Sequence, residues 1–224
     1  MLRIILWKLG IEWAHLKRAL WPQWERKVYY FAFGANLCRD VLEQRRIRVF
    51  ESFDYVLTDA DLHFSQPGFY RGHGYASADA AEGSAVYGKI YLILETDARR
   101  MDYFEGVPFL GAHDKVYREA EGISFFYYRT TRIVGGLKPT RDYLDYIVDA
   151  YREMPGVPDD YLQTLEATEI LDHLQPIDDT SLFVRDVRRW PAFMARPLLG
   201  YERLCLKMVE FTWHRSPLQR LIRS

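Results

Sequence analysis

From Leu2 onward, Ile5, Leu6, Leu9, Trp13, Leu16 and Leu20 recur at steps of three and four, the apolar stripe of an amphipathic helix. Trp21-Pro22 ends it, because a residue that precedes proline is pushed out of helical geometry. The period then changes. Val28 to Phe33 is a β-branched and aromatic run closing on Gly34, which predicts a buried strand, and Asn36 is positioned to cap a helix over Leu37 to Arg45. Between Ser52 and Glu95 the pattern predicts several short strands, among them Tyr55 to Leu57, Leu62 to Phe64 and Val86 to Leu94, separated by loops rich in Gly, Pro and Asp. Thr96-Asp97 opens a short helix through Phe104, with Thr96 or Asp97 as its cap and Gly106 just past its end. Two strands follow, Val116 to Glu119 and Ile123 to Thr130, then helices over Tyr143 to Glu153 and Tyr161 to Ala167 with Pro155-Gly156 between them. The acidic loop Asp178-Asp179, beyond Pro176, marks a boundary. The expected organisation is an amphipathic N-terminal helix (1–24), a main domain (25–170) and a basic C-terminal extension (171–224).

Composition changes this picture in three ways. The 224 residues, 49% hydrophobic and 27% charged, suffice for one sizeable core with appendages. Cys38 and Cys205 form neither a CxxC pair nor a disulfide framework, so both read as free thiols of a reducing compartment. Lys8, Glu12 and His15 interrupt the most apolar N-terminal stretch, which argues against a membrane-spanning helix and against a signal-peptide core, and a cytoplasmic protein is expected by default.

Charge is unevenly spread. Residues 1–30 hold 6 basic and 2 acidic side chains, residues 31–180 hold 15 and 26, and residues 181–224 hold 9 and 3, so the ends carry +10 and the body −11. All six tryptophans, Trp7, Trp13, Trp21, Trp24, Trp190 and Trp213, also lie in the ends. Histidines at 15, 63, 73, 113, 173 and 214 show no HExxH or Cys-His spacing, so no metal site is expected. A GxSxG elbow, a P-loop and a GxGxxG are all missing from the sequence, and the acidic body argues against nucleic acid.

Three separated motifs resemble the γ-glutamylcyclotransferase family, which also includes γ-glutamylamine cyclotransferases and plant avirulence-induced-gene-like proteins. Tyr-Phe-Ala-Phe-Gly-Ala-Asn-Leu at residues 30–37 is similar to the family's YFAYGSNL signature. The run Ala98 to Val107, ending Phe104-Glu105-Gly106-Val107, is similar to its LDxxEGV element. Pro139 to Ile147, with Gly156 to Leu162, is similar to its two C-terminal helices. The order and spacing of the three over roughly residues 28–170 carry the resemblance. It implies an α+β fold, a small mixed β-barrel flanked by helices, here with helical terminal extensions. It also implies cyclisation of a γ-glutamyl group to 5-oxoproline with release of an amine, and neither metal nor organic cofactor.

In that reaction the substrate's α-amine attacks its own γ-amide carbonyl, so a base must take a proton while an oxyanion is held. The resemblance marks Glu105 as that base. Its position in the last turn of a helix, beside Phe104, Val107 and Phe109, is expected to raise its pKa through the helix dipole and desolvation. The plainer alternative is a solvated helix-end carboxylate. Phe33, Gly34, Ala35, Asn36 and Leu37 join a strand to a helix, so their amides are expected to form an anion-binding cradle, with an empty strand-to-helix turn as the alternative. Phe33 and Ala35 stand where the family has tyrosine and serine, so a phenol and a hydroxyl are absent. Tyr117 and Tyr128 resemble tyrosines that approach the family's pocket, with core packing as their alternative; Tyr127 replaces Tyr128 if the register slips by one. Tyr143 is expected to pack a helix.

The partner expected is a small γ-glutamyl substrate. A catalytically silent module that binds an acidic metabolite is the other reading of the same pocket. For the basic, tryptophan-bearing ends two readings stand side by side: peripheral contact with an anionic membrane, or folding onto the acidic body or into a homodimer contact.

Overall fold

The computed structural model describes residues 25–173, except 69, 108–111 and 121, together with 6–7, 9–14 and 16 of the N-terminal segment. The C-terminal extension from 174 onward therefore lies outside the described residues, as do most of the end tryptophans. In chain order the elements are β1 (Lys27–Ala32), a 3-10 turn (Gly34–Leu37), α1 (Arg39–Gln44), β2 (Val49–Pro67), β3 (Gly74–Leu94), α2 (Glu95–Phe104), β4 (His113–Ala120), β5 (Ile123–Thr130), α3 (Arg141–Arg152) and α4 (Asp159–Glu166). The described residues between 6 and 16 are helical, as the stripe predicts.

The strands form one mixed sheet in the order β2-β3-β1-β5-β4. β1 runs parallel to β5 and antiparallel to β3, and the other neighbours are antiparallel. The fold class is α+β, as expected, but the sheet stays open with β2 and β4 at its edges. It nevertheless curls: Tyr55 of β2 reaches Phe125 of β5, ring centroids 5.1 Å apart, although β3 and β1 lie between them. The several short strands expected between Ser52 and Glu95 are two long strands paired as one hairpin, bent where the register shifts at 58/60 and 63/66. Bulges let a long hairpin change direction without breaking, so polar interruptions that read as loops stay within the ladder.

β1 and β5 are central and covered on both faces, which is why their sequences are nearly continuous apolar runs. Alternation sorts their side chains. Tyr30, Ala32, Phe126 and Tyr128 face the helices, in a core with Met101, Leu144, Ile147 and Tyr151. Phe31, Phe125 and Tyr127 face the other side, in a second core with Leu57, Ala78, Val86 and Ile90. The strand register thus puts Tyr128, and not Tyr127, on the helical face.

Two caps differ from expectation. The single helix over Leu37 to Arg45 is a 3-10 turn followed by α1, and neither has a side-chain cap; Asn36 lies inside the turn and points elsewhere. α2 begins at Glu95 with Leu94 as its N-cap, ahead of both expected cap residues. Glu25 does the capping: its carboxylate accepts the Thr96 N–H at 3.0 Å and the Thr96 hydroxyl. Asp97 is fully buried and accepts the Arg48 N–H at 3.1 Å.

Candidate active site

Two helices end in the same way, and their last residues meet. In α2 the amide of Gly106 donates to Tyr103 O and that of Val107 to Asp102 O, with Gly106 at φ 72°, the hydrogen-bond pattern of a Schellman stop. In α1 the amide of Arg46 donates to Glu43 O and that of Ile47 to Leu42 O, with Arg46 at φ 57°. Glu105 and Arg45 are the C-cap residues just before these left-handed turns. Arg45 Nη1 donates to Glu105 Oε1 at 2.8 Å, with side chains only 11% and 13% exposed.

Asn36 joins them from the 3-10 turn. Its Oδ1 accepts from Arg45 Nη1 at 3.0 Å, while its Nδ2 lies 3.3 Å from Glu105 Oε1 and 2.7 Å from the Tyr30 hydroxyl. The amide orientation follows from chemistry, since a guanidinium can only donate and a carboxylate only accept. His113, at the start of β4, brackets the other side, with Nδ1 2.8 Å from the Glu105 carbonyl and 3.5 Å from Oε2. The Phe104 ring lies under the Arg45 guanidinium at 4.9 Å.

Glu105 therefore does not have the raised pKa expected of it. Burial alone pushes its pKa up, but the Arg45 charge, His113 and the hydrogen bonds from Arg45 and Asn36 together outweigh it and hold the carboxyl below its ordinary range. The dipole argument was local to one helix, whereas the deciding charge comes from sixty residues earlier in the chain. Tyr30 shifts the other way: burial, then the Glu105 charge, holds its phenol strongly protonated.

The remaining expected residues divide. Gly34 is buried at φ 68°, and a Cβ there would sit 3.0 Å from Ala76 Cβ and 3.8 Å from the Tyr143 hydroxyl. Its N–H is directed at the Tyr151 hydroxyl, which itself donates to Tyr87 O at 2.8 Å. Tyr143, expected only to pack, accepts the Ala76 N–H at 3.2 Å and borders the turn. Leu37 is buried, and its carbonyl accepts the Tyr91 hydroxyl at 3.0 Å. Ala35 is half-buried beside Asn36, and its carbonyl accepts the Cys38 N–H. Phe33 points away, stacking on Phe31 and meeting Tyr127 in the second core.

Tyr128 is buried on the right face but donates to Asp102 Oδ1 at 2.6 Å, in a pair with Lys115. Tyr117 is 66% exposed on the edge strand β4, against Phe126, and is not gathered with Glu105. Sequence reasoning missed Arg45, Tyr30, His113 and Tyr143. For Tyr30 the signal was present, since it opens the family-like motif two residues before Ala32 and so shares its face of the alternating strand.

Solved structures supply the comparison. A protein described as gamma-glutamyl cyclotransferase superposes at a TM-score of 0.54, with 22% identity, over 73% of this chain and 99% of that one. The chain adopts the γ-glutamyl cyclotransferase fold. An uncharacterised human protein shares the fold at a TM-score of 0.55 and 23% identity over the same shares. YkqA from Bacillus subtilis does so at 0.51 and 15%, over 67% of this chain and 56% of that one. No protein-family model matches the sequence, and no curated protein matches it. In this chain the strand-to-helix turn Gly34–Leu37 and the helix-end carboxylate of Glu105 lie side by side. No helix among the described residues is long and apolar enough to cross a membrane.

Proposed function

We propose that the chain is a γ-glutamylcyclotransferase-like enzyme that cyclises a γ-glutamyl compound to 5-oxoproline and releases an amine. The reading rests on one observation: a largely buried carboxylate, Glu105, lies 3.3 Å from the amide of Asn36 in the turn that carries the family-like motif. At neutral pH Glu105 is ionised, so it can accept a proton from the substrate's α-ammonium. The freed amine then attacks the γ-carbonyl carbon, the new C–N bond closes the five-membered ring, and the old C–N bond breaks. Glu105 hands that proton to the leaving nitrogen and then relays a second one to it from the new ring nitrogen, so the amine departs as its ammonium, the lactam is neutral, and no proton is gained or lost overall.

Arg45 supplies what a lone carboxylate lacks. A bare buried Glu would be protonated and useless as a base; the guanidinium keeps it charged. An arriving α-carboxylate competes for the same guanidinium. As Arg45 turns toward it, Glu105 loses part of its stabilisation and becomes a stronger base at the moment a proton must be taken. The first amides of a 3-10 turn have no partner within it. With that of Gly34 directed at Tyr151 and both Asn36 Nδ2 hydrogens held by Tyr30 and Glu105, the Ala35 amide is the donor for the oxyanion.

The Arg45–Glu105 pair also favours a second reading, a silent module in which the ion pair is structural and an acidic metabolite binds Arg45 alone. Incubation with a panel of γ-glutamyl amino acids and γ-glutamyl amines, with 5-oxoproline measured, separates the two. Product that disappears in Glu105→Gln supports the enzyme; binding of γ-glutamyl compounds by calorimetry with no product from any member overturns it.

A further inference from the structure

The N-terminal helix meets α2 along one side. Trp7 packs on Tyr103 of α2 with ring centroids 5.0 Å apart, Ile11 is buried, and Glu12 pairs with Arg100 at 3.2 Å. Leu6, Leu9, Trp13 and Leu16 are instead 57%, 59%, 59% and 51% exposed. At a helix's turn per residue these four fall in one arc about 80° wide. A continuous exposed apolar stripe of this kind marks an interaction surface, unlike single exposed apolar residues.

The geometry points to this stripe as a docking surface for an anionic lipid bilayer, with the helix lying in the headgroup plane and the domain held outside it. Charge selects that occupant. Residues 1–20 carry Arg3, Lys8, Lys17 and Arg18 against one acid, Glu12, and that acid is already neutralised by Arg100. The segment is thus basic and complementary to an anionic surface. A second copy meeting the stripe across a two-fold axis would bring the same basic segments face to face, which repels. An apolar stripe that includes tryptophan, in a strongly basic segment, is the pattern of helices that lie in a membrane interface. The inference is independent of the catalytic reading, because the hydrogen bonds that join Glu105, Arg45 and Asn36 involve none of these residues.

Flotation of the full-length protein with phosphatidylcholine vesicles, with and without phosphatidylglycerol, tests it. Expected is recovery in the floating fraction with the anionic vesicles, little with the neutral ones, and loss of binding as salt is raised. Leu9→Glu lowers the bound fraction by about fivefold or more, while its circular dichroism and thermal midpoint match the parent, because Leu9 is exposed. Equal flotation of parent and Leu9→Glu overturns the proposal, as does recovery that ignores vesicle charge. A dimer in sedimentation that Leu9→Glu dissociates also overturns it, since a second copy would then be the occupant.

Discussion

The Arg45 guanidinium donates to Glu105 Oε1 at 2.8 Å, and each residue is the last before a left-handed turn that ends its helix. Backbone geometry at two helix stops thus aims two opposite charges at one point. Asn36 bridges them and ties the pair to the turn after β1. This relationship governs what substitution should do.

Glu105→Gln removes the base and keeps an oxygen that can accept from Arg45. The expected result is a fall in turnover of about a thousandfold with little change in KM, checked by steady-state release of 5-oxoproline. A variant that still turns over at a tenth of the parent rate or more is incompatible with Glu105 as base.

Arg45→Met should move the acid limb of the kcat/KM profile to higher pH. The base works deprotonated, Arg45 lowers its pKa, and without the guanidinium burial pushes that pKa up. Arg45→Lys keeps the charge and should shift the limb less. Stability follows the same sign: a depressed carboxyl contributes stability above its unfolded value of about 4.3, and loses it as pH falls through the folded one. Urea unfolding at neutral pH should show Arg45→Met weaker by about 3 kcal/mol, because it strands a buried carboxylate.

Gly34→Ala combines two penalties. A side chain at φ 68° costs about 1–2 kcal/mol, and the new Cβ lies 3.0 Å from Ala76 Cβ. A shift of the turn also moves Asn36, so kcat/KM should drop by roughly tenfold or more. Gly83→Ala is the control: φ is 77° there with nothing within 4 Å, so it should cost stability alone.

His73 predicts a pH dependence unrelated to catalysis. It is 3% exposed, neither ring nitrogen has a hydrogen-bond partner among the described residues, and Tyr70 and Tyr75 flank the ring. Burial lowers its pKa from 6.5 to about 4. The unfolded chain therefore binds a proton in that window that the native protein refuses. Stability should be full above about pH 6.5 and fall by up to about 3 kcal/mol on acidification toward pH 4. Denaturation of His73→Phe over the same range should lack that component.

Much of the scaffold was legible because its signals are local. The run Val28 to Phe33 alternates between two cores, Gly106 stops α2, and β5 spans Ile123–Thr130 as read. Local signals failed where distant parts of the chain intervened. Thr96 and Asp97 looked like caps, but Glu25, seventy-one residues away from Thr96, supplies the acceptor. Polar breaks between Ser52 and Glu95 looked like loops, but the β2–β3 hairpin absorbs them as bulges. Tyr117 looked like a pocket residue and lies exposed on an edge strand, because periodicity says which face a side chain takes and not what covers that face.

The amino-acid order alone determined that a glycine-containing turn follows a buried strand, that an acid ends a helix beside a glycine, and that basic tryptophan-rich segments flank an acidic body. Each of these needs only near neighbours along the chain. Whether that acid is charged was decided by the tertiary structure, through an arginine, an asparagine and a histidine brought to it from three other elements. Electrostatic energy depends on separation in space and on exclusion of water, and neither quantity exists until the chain has folded.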